Sequence, residues 1–293
     1  MIMAYRVLLI FLMLGANLIV AQTNDDLFVT GFNYVPGTSN SVGFQEANVA
    51  FDYSVDFKEG VLTNSLAYSN HKINYNSNEV LNESLLGIES FESVAYTLQF
   101  KKAISNGWGY LISASPSISS NFESSISFDD VIFNGAVIFS KMFINKKLNF
   151  GVVRNSSYGF STPIPVVSIA GAINQKLTYS VGFPIIEFLY KVNTKNQFSL
   201  YAKPKGFYSN ITNEIVVNID DEVEKAQFNS IVSGLKYSHS IDDNWKVELD
   251  AAYQLKSDYE LLDKNLNSVY EFKTKNNFSA GVSLKFNLLN DKS

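Results

Sequence analysis

The chain contains no cysteine and only two histidines, His71 and His239, in 293 residues. Without cysteine an exported protein has no disulfide staples, so its stability must come from packing and strand pairing. With no Cys and no neighbouring His pair, a metal site would have to be built from carboxylates alone. Charge is scarce as well, at 17% of residues. Past residue 21 no apolar run approaches the ~18 residues of a membrane-crossing helix. There is no glycine-rich phosphate loop and no basic patch, and beyond Arg6 the only arginine is Arg154.

The N-terminus explains the early apolar stretch. Arg6 supplies a positive charge, Val7 to Leu14 is an unbroken apolar run, and Leu18 to Val20 leads to Ala21. This is the pattern of a secretory signal, with residues 1–21 removed and 22–293 forming one domain. Gly15, Ala16 and Asn17 interrupt the run, which argues against a retained helical anchor, and no Cys follows it as a lipoprotein signal would require. Cleavage takes Arg6 away and leaves 22 basic against 28 acidic residues, a net −6. That balance argues against nucleic acid as a partner.

What the sequence does have is aromatic side chains, 14% of residues, arranged with a period of two. From Asp242 to Leu255 three turn formers precede Trp245, Val247, Leu249, Ala251, Tyr253 and Leu255 on one parity, with Lys246, Glu248, Asp250 and Gln254 on the other. Alternation of this kind places the two sets on opposite faces of a strand. Roughly ten residues is also the length of a tilted strand that crosses a bilayer.

The unit recurs. Val49, Phe51, Tyr53, Val55 and Phe57 alternate with Asn48, Ala50, Asp52, Ser54 and Asp56, and the final strand carries Phe278, Ala280, Val282, Leu284, Phe286 and Leu288. Leu27 to Val35 and Ile186 to Val192 are weaker strands, and Pro184 ends the strand before the second of these. Six short turns, among them Lys58-Glu59-Gly60 and Ser105-Asn106-Gly107, alternate with seven longer or proline-marked connections. The longer ones include loops expected near 70–90, 117–130, 209–226 and 256–273. The expected fold is all-β, a closed antiparallel up-and-down transmembrane barrel of about 14 strands, with 12 as the alternative. Closure is required because an open sheet edge in lipid leaves backbone groups unsatisfied.

Candidate functional residues follow from parity. Asp52, Asp56, Lys203, Lys205, Glu248 and Asp250 should point into the lumen, where opposed charges either select solutes through a transverse field or brace the barrel as salt bridges. Trp108 and Trp245 follow short turns, at the level where interfacial aromatic girdles form. Arg154 reads either as an interfacial side chain snorkelling to headgroups or, after a local bulge, as an inward charge at the pore mouth. The acidic run Asp220-Asp221-Glu222-Val223-Glu224 reads as a solvated outer loop. His71, at the start of an outer loop, and His239, near a periplasmic turn, would lie a bilayer apart and could share neither a metal nor a triad. No enzymatic activity and no cofactor are expected.

The hairpins Ser-Asn-Gly-Trp108 and Asp-Asp-Asn-Trp245, with the apolar final strand ending near Phe286, resemble outer-membrane β-barrels of the Bacteroidota type. The block from Pro163-Ile-Pro165 through Asn-Gln-Lys176 to Thr-Lys-Asn196 more narrowly resembles a family of such barrels classed as a domain of unknown function. That resemblance brings no functional residues. It implies an outer-membrane location in a Gram-negative bacterium, with outer-membrane lipid, lipopolysaccharide and the barrel assembly machinery as partners. Asn287 to Ser293 follow Phe286, whereas such barrels commonly end on the last aromatic.

The function expected is passage of small solutes or service as a surface scaffold. Small inward residues (Ser54, Gly151, Ser180, Gly234, Ser279 and Ser283) favour some open space. The alternatives are a non-channel cell-surface protein that binds a partner through long loops, and a hydrophobic-ligand transporter. The latter is disfavoured because only Gln22 to Asp26 precede the first strand and could serve as a plug. A soluble secreted barrel with a ligand cavity would need the apolar faces turned inside.

Overall fold

The computed structural model describes residues 27–38, 41–75, 87–218 and 221–287. The expected signal peptide, the Gln22 to Asp26 segment, Asp220 and residues 288–293 lie outside these. The chain is all-β: β1 (Phe28–Val35), β2 (Gly43–Phe57), β3 (Gly60–Asn74), β4 (Ser90–Ala103), β5 (Trp108–Ser120), β6 (Val131–Met142), β7 (Lys146–Arg154), β8 (Ile164–Ala172), β9 (Leu177–Phe183), β10 (Ile186–Lys191), β11 (Asn196–Asn218), β12 (Asp221–Ser240), β13 (Trp245–Leu262), β14 (Ser268–Phe272) and β15 (Phe278–Phe286).

Every consecutive pair from β1 to β13 is antiparallel, β13 pairs with β15, and β15 pairs back onto β1. The result is a closed ring of 14 strands, and β14 lies outside it, paired only to the end of β13. Both weak segments, β1 and β10, are ring strands. Register across the closing seam puts Phe32 opposite Val282 and Val282 opposite Leu249, and all three face outward at 45%, 47% and 51% exposure. Glu248, one residue along, is buried on the inside. The short turns gather at one rim. In the β12–β13 turn the backbone amides of Trp245 and Asn244 donate to Asp242, which holds that carboxyl below the usual carboxylate range.

The opposite rim differs from the expectation of long loops. The stretches expected as loops near 209–226 and 256–273 are largely strand: β11 and β12 run 23 and 20 residues, and β13 continues to Leu262 before β14 folds back on it. These strands are about twice the length that crosses a bilayer. The β11–β12 overhang does not stand upright; it leans across the mouth until Asn210 makes a parallel bridge to Ser120 at the end of β5.

Several hydrogen bonds hold it there. Ser209 and Ser119 share one between their hydroxyls at 2.7 Å. Thr212 donates to Asn121 Oδ1 from both its amide and its hydroxyl at 2.9 Å. Asn210 donates to Asp130 Oδ1 at 2.7 Å, and Asp130 is fully buried. The wall beside it is low, because β8, β9 and β10 have only nine, seven and six residues. The β7–β8 connection seats against the overhang at Gly159, whose φ is +76°. A Cβ there would lie 2.1 Å from the Phe228 carbonyl oxygen, so a side chain is excluded.

Under the overhang lies the main apolar core, built from Phe44, Ile88, Phe91, Phe207, Phe228 and Tyr259 among others. A one-residue bulge makes it possible. Ile231 pairs with Lys256 while Val232 pairs with Gln254, so Leu255 is the extra residue. Such an insertion reverses the facing of everything beyond it. Below it Glu248, Ala252 and Gln254 are the inward set, and above it Tyr259 and Leu261 are, both at 0% exposure.

Candidate functional site

Inside the ring the two walls differ. On the β11–β13 wall large and charged side chains interlock. The Tyr201 hydroxyl donates to Asp250 Oδ1 and Oδ2 at 2.8 and 2.7 Å. The ammonium groups of Lys203 and Lys236 lie 5.2 and 5.7 Å from the Tyr201 ring centroid. Glu248 takes a hydrogen bond from Ser238 at 3.0 Å and pairs with Lys285 at 3.3 Å and Lys236 at 4.0 Å. Lys205 forms a 3.0 Å salt bridge with Glu46 of β2.

Three of the expected lumen residues, Lys203, Glu248 and Asp250, therefore belong to one set of interactions around Tyr201 and Lys236, and a fourth, Lys205, pairs separately with Glu46. Asp52 is half-buried on β2 opposite Ser65, and Asp56 is exposed beside the first short turn. Glu46, Tyr201, Lys236 and Lys285 were missed, although each shares a strand parity with a residue already assigned to the inside. The signal was present for all four.

The other wall, β2 to β7, is lined by small residues. Here a cavity of about 400 Å³ opens against the inner face, bordered by Ser69, Ser93, Ser113, Ser115, Asn134 and Arg154. By the usual share of liquid volume this is room for roughly a dozen waters. Arg154 lines it from the end of β7, where the chain turns into the 156–158 segment. The contrast with the apolar mouth is large: the cavity among Val35, Phe44, Phe207 and Phe228 measures about 30 Å³.

His71 is not a solvated loop residue. β3 continues to Asn74, and the His71 ring stacks on Phe207 with centroids 4.9 Å apart. The strand alternation carried it inside, where the overhanging β11 supplies its partner. His239 is near the short-turn rim, its Nδ1 2.8 Å from Asn196 Oδ1. Among the described residues no group of three His, Asp or Glu side chains is placed to hold a metal ion. Of the acidic run, Glu222 to Glu224 are strand residues of β12 and Val223 is buried.

Trp108 and Trp245 both follow short turns. Lys141 Nζ lies 5.0 Å from the Trp108 ring, and Trp245 packs on Phe286 at 4.7 Å. Phe57, Phe139, Phe150, Tyr190 and Phe198 are exposed near the same rim.

Over residues 48–288 the sequence matches a domain of unknown function, DUF6268. The chain belongs to that family. No curated protein matches it. Among solved structures, the DUF6268 barrel is similar to the NanC porin, at 9% identity and a TM-score of 0.41, covering 89% of this chain and 100% of that one. It is also similar to a deletion mutant of the TodX monoaromatic hydrocarbon channel, at 9% identity and 0.38, covering 89% and 88%. A mutant of the Rh. blastica porin follows at 8% and 0.33, covering 92% and 100%. Likeness at this level carries no argument about what the DUF6268 barrel transports or binds.

Proposed function

We propose that the chain is exported to the outer membrane of a Gram-negative bacterium and passes small polar solutes through its barrel. The observation that supports this reading is the division of faces. Apolar side chains such as Phe32, Leu249 and Val282 are exposed outside, while Glu248, Asp250, Lys236 and Lys285 are gathered inside with a cavity of about 400 Å³. Lipid would cover the outer face, as in transmembrane barrels generally. A soluble ligand-binding barrel would need the reverse. The cavity at the mouth, about 30 Å³, has room for a single water and none for a hydrophobic ligand.

The overhang makes this a restricted channel rather than an open porin. Planar bilayer recordings test the reading: discrete, small conductance steps support it. A protein that folds and inserts but gives no steps would move the assignment to surface binding. That second reading has its own support, since the β11–β12 hairpin covers the mouth and presents a formed surface. Carbonate extraction tests the location, and release without detergent would count against it.

A further inference from the structure

Resting on the channel reading, the cavity on the β2–β7 wall can be assigned a ligand class: we propose that it binds a sugar-sized monoanion, with its carboxylate on Arg154 and its hydroxyls along the serine wall. Three observations converge. The first is space, about 400 Å³, within the size range of small-molecule sites. It exists because the inward positions that meet there are small: Ala50 faces Ala67, Ala67 faces Ala95, and Ser113, Ser115 and Ser117 follow on β5.

The second is an uncommitted cation. Among the described residues Arg154 makes no salt bridge and no hydrogen bond; it is one of the residues that border the cavity, and its charge also acts on the Tyr208 hydroxyl of the overhang. The one acid on the cavity lining, Glu46, is already held by Lys205 at 3.0 Å. A planar guanidinium without a salt bridge is suited to bidentate recognition of a carboxylate.

The third is the hydroxyl wall. Thr97 and Ser115 satisfy each other at 2.6 Å, Ser117 donates to the Ile132 carbonyl, and Asn134 is tied to Ser156. The hydroxyls of Ser69, Ser93 and Ser113 make no hydrogen bond among the described residues. A ligand with several hydroxyls would engage these three while its charge meets Arg154. An apolar ligand would leave them unpaired, and a bare anion would use only the arginine.

The test is calorimetric titration of the mature protein, folded in detergent, with galacturonate, galactose, acetate and inorganic phosphate. Galacturonate should bind, with galactose and acetate weaker by roughly tenfold or more, the scale of losing a charge-assisted hydrogen-bond pair. R154Q should weaken galacturonate by a similar factor, and S113L, which fills the cavity from a different strand, should abolish binding. Gel mobility before and after boiling confirms that each variant is folded. Undiminished binding by folded R154Q or S113L, no binding by the folded wild type, or phosphate binding as tightly as galacturonate would each overturn the assignment. Binding is read without current, so a barrel that binds galacturonate but gives no channels defeats only the channel reading. Channels without binding defeat only this one.

Discussion

The hydroxyl of Tyr201 reaches over Gly234 of the intervening strand to both carboxylate oxygens of Asp250. Tyr201 pairs with Gly234 across β11–β12, and Gly234 pairs with Ala252 across β12–β13. A Cβ on Gly234 would lie 2.8 Å from the Tyr201 hydroxyl and 2.6 Å from the Ala252 Cβ. Glycine is therefore needed here for close approach. Y201F should lower unfolding stability by about 1.5–3 kcal/mol, the range for hydrogen bonds to charged groups. G234A should cost about 1–3 kcal/mol through overpacking. Urea unfolding in lipid vesicles measures both, and a double cycle of Y201F with D250N should recover the coupling.

Facing can be tested at one pair of positions. Leu249 is outward and Glu248 buried, while Val282 is outward and the Ser283 hydroxyl lies 3.4 Å from Glu248 Oε2. L249R should cost roughly 2–4 kcal/mol, as for basic residues at mid-bilayer on a lipid face. An uncharged polar change such as S283N should cost much less. In cysteine labelling, water-soluble reagent should reach position 283 in preference to 249, and the opposite pattern would reverse the inside–outside assignment.

Asp130 is a buried anchor of the overhang. Asp130 accepts from the Ser127 amide at 2.7 Å and from Asn210 of the overhang, and it is fully buried. D130A removes the anchor and leaves buried donors unpaired, a cost of about 1–3 kcal/mol. The expected outcome is larger unit conductance and faster proteolysis between 209 and 226, with the ring intact. Unchanged conductance would mean that the overhang does not limit the pore.

The interior charges compensate one another. Glu248 faces Lys236 and Lys285, and Glu46 faces Lys205. E248Q should remove the carboxylate that faces these two ammonium groups and move the reversal potential toward anions. Replacing Lys205 with Met should move it toward cations. If channels form and neither change shifts the potential, these pairs serve only to brace the wall.

The ring itself was legible because its signals are local. Period-two alternation around Leu249, Val282 and Phe51 fixes which face meets which medium, and turns such as Ser105-Asn106-Gly107 fix where the chain reverses. Counting those turns yields 14 strands, and the same parity places Lys203, Lys205, Glu248 and Asp250 inside. Nothing local says that Leu255 is bulged, since its neighbours continue an ordinary strand pattern. That one inserted residue turns Tyr259 and Leu261 from outside to inside and creates the apolar mouth.

Other features were equally beyond the sequence, because each depends on residues far apart in the chain. The partner of His71 is Phe207, brought over by an overhang that polar composition had suggested was loop. Arg154 shares the alternation of Phe150 and Val152, yet it borders the inner cavity because β7 ends there and the chain turns toward β11. Sequence by itself determined the strand, its faces and their number, through contacts within a few residues. The covered mouth and the cavity beneath it were decided by tertiary pairing, as the β11–β12 hairpin crosses the ring to meet Ser119, Asn121 and Asp130 on the far wall.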